Sequence, residues 1–223
     1  MIEPRFHLYI DTADPAAVRA NLPHPLIYGV TTNPTLMRRA SLKRSALPGF
    51  VEQALALGAR AVQVQVESPD TAGMLRDARA ALAWGPSGRI IPKIPATRAG
   101  FAAGSELSAG GVRVTYTAVF TPEQAMFAAN AGAAYAAPYF GRLQDQGVDG
   151  AASIARMQAL IDRYGSGTRL LVASVRSRDA FLSLLDLGVG AITVPPTLLP
   201  ELLEHQATLE AQRDFLSDAE SVR

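Results

Sequence analysis

Short apolar runs rich in β-branched residues recur along the whole chain, at 6–11, 26–31, 61–66, 89–94, 112–117, 134–137, 169–173 and 191–194. Their length and composition predict strands. Each run is followed by a segment of helical period. Three of these segments open with a capping residue and a proline, at Asp14-Pro15, Ser68-Pro69 and Thr121-Pro122, because such side chains accept from free helix N–H groups and proline fits the first turn. Gln124 stands at the capping-box position after Thr121. Glycines at 58, 110–111, 132 and 188 fall between a helix and the next strand, where a helix C-terminus favours them.

Eight strands alternating with helices predict a parallel sheet with helical crossovers. Closure into a single (β/α)8 barrel over residues 1–223 is the first expectation, with an open doubly wound sheet as the alternative. No glycine fingerprint follows the first strand, which argues against a dinucleotide-binding sheet. No linker rich in proline, serine or glycine divides the chain. Residues 207–219 read as an extra C-terminal helix.

Composition narrows the classes. The chain has 223 residues, near the roughly 250 common for one α/β barrel, and 48% hydrophobic residues supply a sizeable core. A net charge of +1 gives no sign of a nucleic-acid partner. The basic group Arg38, Arg39, Lys43 and Arg44 reads as a solvated helix face. No cysteine is present, and His7, His24 and His205 are too far apart for metal-ligand spacing. Glu3 and Arg5 before a short apolar run do not read as a signal peptide, and the apolar stretch 125–140 is broken by Asn130 and Pro138. We expect a soluble cytoplasmic protein without a membrane span.

In a barrel the chemistry sits at the strand C-terminal ends, and polar residues gather there. They are Asp11, Thr31-Thr32-Asn33, Gln65 and Glu67, Lys93, Thr117, Tyr139 and Arg142, and Ser174 and Arg176. Most have a plainer reading. Asp11 could cap the helix begun at Asp14-Pro15, the 31–33 group could be a turn before Pro34, and Gln65 could be a satisfied core amide. Lys93 is the informative position, since its strand neighbours are apolar. A lysine is costly to bury without a partner. It is either snorkelling or structurally paired, or it is an amine kept neutral often enough by burial to attack a carbonyl. Arg142, Ser174 and Arg176 suggest an anion site, because guanidinium forks match phosphate oxygens. Surface ion pairs with Asp145 or Asp179 are the plainer reading.

The segments Leu8-Tyr9-Ile10-Asp11-Thr12, Gly29-Val30-Thr31-Thr32-Asn33-Pro34, Pro92-Lys93-Ile94-Pro95-Ala96-Thr97, 133–142, Ala173-Ser174-Val175-Arg176 and Thr193-Val194-Pro195-Pro196 occur in this order. In them the chain resembles the small transaldolases and fructose-6-phosphate aldolases, over nearly its whole length. The resemblance implies a (β/α)8 barrel in which Lys93 forms an imine with a ketose donor, with no metal or organic cofactor. It implies that Asp11 assists proton transfers, that Thr31 and Asn33 hold the donor, and that Thr117 positions a catalytic water. Ala137 joins the substrate-binding positions, and Arg142, Ser174 and Arg176 match the family's phosphate-binding positions. It also implies a homo-oligomer, a pentameric ring or a decamer, with the terminal helix reaching a neighbour.

Two positions bear on the reaction. The resembling transaldolases usually carry glutamate where this chain has Gln65 and phenylalanine where it has Tyr139. Glutamine with tyrosine is similar to the fructose-6-phosphate aldolase pattern, in which Tyr139 and Gln65 would orient the water that protonates the enamine. The leading expectation is therefore an aldolase joining dihydroxyacetone to glyceraldehyde 3-phosphate. The alternative is a transaldolase passing the three-carbon unit between sugar phosphates, and the remote one a non-catalytic barrel. Glu67, two residues beyond Gln65, offers a carboxylate on the same strand face. Pro92 removes a ladder donor just before Lys93, which predicts a local disturbance of that strand.

Overall fold

A computed structural model describes residues 4–164 and 167–222; Glu3 and the ends of the expected 1–223 domain lie outside the described residues. The strands are β1 (His7–Asp11), β2 (Ile27–Thr31), β3 (Ala61–Gln65), β4 (Ile90–Pro95), β5 (Thr115–Val119), β6 (Tyr135–Pro138), β7 (Arg169–Val172) and β8 (Ala191–Val194). They close in sequence order into a parallel barrel, β1 pairing with both β2 and β8. The open-sheet alternative is thereby set aside. A closed barrel leaves no edge strand to pair with another chain.

Strand periodicity sorts the side chains into two cores. Leu8, Ile10, Val62, Val64, Ile90, Ile94, Tyr116, Val172 and Val194 lie in the core between strands and helices. Tyr9, Ala61, Ile91, Tyr135, Ala137, Leu171 and Ala191 fill the barrel itself. Successive residues of a strand point to opposite faces, so the odd-numbered positions of these strands face inward, except Ile27 and Val119 beside the two register shifts. Gly29 on β2 shows how tight this interior is: a Cβ there would sit 2.0 Å from the Ala61 carbonyl oxygen and 3.0 Å from the Tyr9 ring.

The local signals behave as their chemistry requires. Asp14 caps the helix Pro15–Asn21, and Thr121 with Gln124 forms a complete capping box on Pro122–Asn130. Gly58, Gly111, Gly132 and Gly188 all have positive φ. Three expectations need correction. Ser68 is not a cap; Asp70 accepts from Gly73 N–H at 2.9 Å and opens the helix Thr71–Leu82. Val112 does not start β5, because its N–H closes the preceding helix on the Leu107 carbonyl. The crossovers after β2 and β6 are each split into two helices, Pro34–Arg39 with Leu47–Ala56, and Phe140–Asp145 with Gly150–Arg163. After β8 come only a short turn and the helix Leu199–Leu203, then the expected terminal helix, Gln206–Ser221. Among the described residues no helix is long and apolar enough to cross a membrane.

The end of the barrel where the strands begin is closed by a hydrogen-bonded aromatic cluster. The Tyr135 hydroxyl meets His7 Nδ1 at 2.6 Å, the Tyr9 hydroxyl at 3.0 Å and Arg113 at 3.2 Å, and His7 stacks on Tyr28 at 3.8 Å. Burial pushes the Tyr135 phenol up to about 12. The packing predicts opposite effects for two glycines. Gly29→Ala forces a Cβ against backbone, and overpacking of this kind costs roughly 1–3 kcal/mol. Gly49, in the exposed first turn of Leu47–Ala56, has nothing within 4 Å of its Cβ position. Gly49→Ala is expected to stabilise by about 0.5–1 kcal/mol, both read from denaturant midpoints.

Candidate active site

Lys93 sits in the middle of β4, on the inward face, and is 3% exposed. Its Nζ donates to the Thr32 carbonyl at 3.2 Å across the barrel mouth. Pro92 does not disturb the strand as expected. β3 stays in register through Val64↔Pro92 and Gln65↔Lys93, and β5 joins at Lys93↔Thr115. Pro92 itself is buried within the strand.

Asp11, at the inward end of β1, is half-buried. Its Oδ1 accepts from the Thr31 hydroxyl at 2.6 Å, and that hydroxyl lies 2.6 Å from the Thr193 hydroxyl. Thr31 has one proton and gives it to the carboxylate, so Thr193 donates to Thr31. Burial raises the Asp11 carboxyl above the ordinary carboxylate range, opposed by the charge of Lys93, the Thr31 bond and the charges of Arg142 and Arg39. Burial wins because the cost of removing water from the carboxylate is the largest of these influences. The plainer reading of Asp11 as a cap fails, since Asp14 fills that place. Asn33 is neither free nor a plain turn residue but a helix cap: its Oδ1 accepts from Leu36 N–H at 3.0 Å and opens Pro34–Arg39. That bond leaves its amide hydrogens available.

On the opposite wall, the Thr117 and Tyr139 hydroxyls are 2.8 Å apart. Tyr139 is held by the edge of Phe120 and by the Arg142 guanidinium, 4.6 Å from its ring centre. Thr117 pairs in register with Ala137, a buried residue whose small side chain faces the interior. Immediately after Thr117 the ladder is irregular, and Ala118 has φ 56°. Left-handed alanine costs of order 1–2 kcal/mol, so the surrounding packing holds this bend. Gln65 is half-buried on the same rim, level with Lys93; among the described residues Tyr139 bonds to Thr117 and not to Gln65.

The outer rim carries the anion candidates. Gly141 N–H donates to the Ser174 carbonyl at 3.1 Å. A Cβ on Gly141 would lie 2.9 Å from both Arg176 Nε and Ser174 Oγ, so only glycine lets these groups converge here. Ser174 has φ 61°. Arg176 is paired with Asp145, through bonds of 2.7 and 2.6 Å, which realises one of the two ion pairs considered above. Glu67 does not stand in for a carboxylate beside Gln65. β3 ends at Gln65, and Glu67 is exposed and paired with Arg44 at 3.1 Å. Arg44 also departs from the solvated-face reading, since it covers the Trp84 ring at 5.6 Å.

Three inward polar residues escaped the reading by strand ends. Thr193 completes the Asp11–Thr31 chain, and Thr115 donates to Gln63 Oε1 at 2.8 Å one layer below the mouth. The available signal was period two: Gln63, Thr115 and Thr193 share parity with Gln65, Thr117 and Ala191.

Residues 8–222 match the family described as Transaldolase/Fructose-6-phosphate aldolase. The chain belongs to this family. It is 34% identical to a "probable transaldolase" of Dehalococcoides mccartyi, over 97% of this chain and 99% of that protein. It is equally similar to proteins of the same name from Desulfotalea psychrophila (95% and 97% covered) and Thermoplasma acidophilum (96% and 96%).

The raised Asp11 carboxyl makes a pH prediction. A carboxyl whose folded value lies above its unfolded one binds more protons when folded, so its contribution to stability falls as pH rises between the two. Above that window the buried charge is a standing cost. Asp11→Asn is therefore expected to be more stable than the parent at neutral pH. The advantage should shrink as pH falls toward the ordinary carboxylate range of about 4, in paired urea titrations.

Proposed function

We propose that the chain is a class I enzyme of ketose phosphates, in which Lys93 attacks the donor ketone. One observation carries the reading. Lys93 is a buried lysine inside the mouth of a closed barrel, held on a backbone carbonyl and acting on Asp11 through its charge. The ammonium first gives up a proton, the free amine adds to the ketone, and the carbinolamine hydroxyl takes a proton back and leaves as water, forming an iminium. A base then takes the proton of the C4 hydroxyl. The C3–C4 electrons move into the iminium, leaving an enamine on Lys93 and releasing an aldehyde. We assign the proton transfers to Asp11, because a raised carboxyl exchanges protons closer to neutrality. Thr31 orients it. The Asn33 amide hydrogens are available to donor hydroxyls, Ala137 leaves room for the three-carbon unit, and Arg142, Ser174 and Arg176 take the phosphate.

The enamine has two fates. Attack on a second aldehyde is transaldolase chemistry, and the names of the relatives support placing it first. Protonation with hydrolysis to dihydroxyacetone is aldolase chemistry, and one specific observation favours it as the second reading. The Thr117–Tyr139 hydroxyl pair, with Gln65 on the same rim, offers water two hydroxyls where phenylalanine and glutamate would offer one hydroxyl and a carboxylate. The oligomeric reading is kept with both. The terminal helix Gln206–Ser221 buries none of its residues and presents Leu209, Phe215 and Leu216 to solvent, as a helix seated on a second copy would.

Borohydride reduction with fructose 6-phosphate is expected to fix the donor's mass on Lys93, and Lys93→Met to abolish the adduct. An adduct of undiminished yield in that variant would end the assignment. Tyr139→Phe separates the two fates. If Tyr139 delivers the proton, release of dihydroxyacetone from fructose 6-phosphate alone should fall by about 10²–10⁴-fold. Transfer to erythrose 4-phosphate should be spared. An unchanged ratio leaves transfer as the sole reading.

A further inference from the structure

Arg176 meets Asp145 end-on: Nη1 donates to Oδ1 at 2.7 Å and Nη2 to Oδ2 at 2.6 Å. A guanidinium has five N–H donors, and this fork uses one from each terminal nitrogen. The edge carrying Nε stays open. The glycine gap described above puts that edge beside Ser174 Oγ, since both atoms lie 2.9 Å from the position a Gly141 Cβ would take. Asp145 is the last residue of Phe140–Asp145, the short helix that also carries Gly141 and Arg142. The arginine of one strand end is thus fastened to the helix that follows its neighbour. The Arg176 and Asp145 side chains are 58% and 55% exposed, so Arg176 has little packing to hold it otherwise. Asp145 is held low chiefly by its bond to Arg176, so it remains a carboxylate at working pH.

We infer that Asp145 is a positioning residue for phosphate recognition: it grips the far end of Arg176 so that the Nε edge faces the Ser174 side before substrate arrives. This rests on the phosphate reading of Arg142, Ser174 and Arg176 above. A loose arginine side chain must be ordered at the moment of binding, and fixing it beforehand removes that cost from the affinity. The opposite role is also definite. If Asp145 merely occupied the anion site, removing its charge would strengthen phosphate binding.

The test compares Asp145→Asn, Asp145→Glu and Arg176→Gln with the parent enzyme. KM and kcat are measured for fructose 6-phosphate and for unphosphorylated fructose, and inhibition is measured with inorganic phosphate. Ordering one such side chain translates to about three- to tenfold. Asp145→Asn is expected to raise KM for fructose 6-phosphate and the inhibition constant of phosphate by that factor. Its kcat and its constants for fructose should stay unchanged, and Asp145→Glu should recover part of the loss. Arg176→Gln should show the same selectivity with a larger loss. A lower or unchanged KM in Asp145→Asn, while Arg176→Gln remains phosphate-selective, overturns the positioning role alone. An Arg176→Gln variant that loses both substrates equally overturns the phosphate reading and the inference with it.

Discussion

The burial of one lysine side chain organises the mouth of this barrel. Lys93 is 3% exposed, and a polar group removed from water must find fixed dipoles or charges instead. The Thr32 carbonyl supplies a dipole at 3.2 Å, and Asp11 supplies a neighbouring carboxyl whose own protonation Lys93 opposes. Asp11 is in turn held by Thr31 and Thr31 by Thr193, so β1, β2 and β8 contribute to one hydrogen-bonded chain beside Lys93.

The two ends of the barrel handle polarity differently. Where the strands begin, His7, Tyr9, Tyr28, Tyr135 and Arg113 bond or stack among themselves and plug the interior. Where they end, Lys93, Thr31, Thr117 and Thr193 are buried polar side chains, and the backbone is bent beside them. Ala118 and Ser174 adopt left-handed conformations without being glycine, one directly after Thr117 and one inside the arginine rim. Such strain persists only where neighbouring contacts hold it. The Ala96 N–H on the Thr117 carbonyl and the Gly141 N–H on the Ser174 carbonyl are contacts of that kind.

Much of the fold is legible in the chain's residue pattern because its signals are local. Apolar runs of strand length, capping residues such as Thr121 with Gln124, and glycines that accept positive φ act within a few residues of themselves. The same locality explains the misses. Ser68-Pro69 and Asp70-Thr71 are equally good openings in isolation, and only the Asp77 carboxylate, which takes the Glu67 and Ser68 N–H groups, commits Ser68 to the loop. Val112 has the composition of a strand residue, but helix closure took its N–H first.

The sequence by itself determined the barrel's order of elements, the isolated lysine at 93 and the set of polar residues at strand ends, since each depends on residue type and spacing. Tertiary structure decided how those residues are used. Closure set which strands meet, and so placed Asp11 within the reach of Lys93's charge. It gave the Tyr139 hydroxyl to Thr117, turned Glu67 out to Arg44, and selected Asp145 over Asp179 as the partner of Arg176. These are choices among chemically equivalent partners far apart in the chain. Spacing along the sequence carries no information about them, because the distances are fixed only when the eighth strand closes on the first.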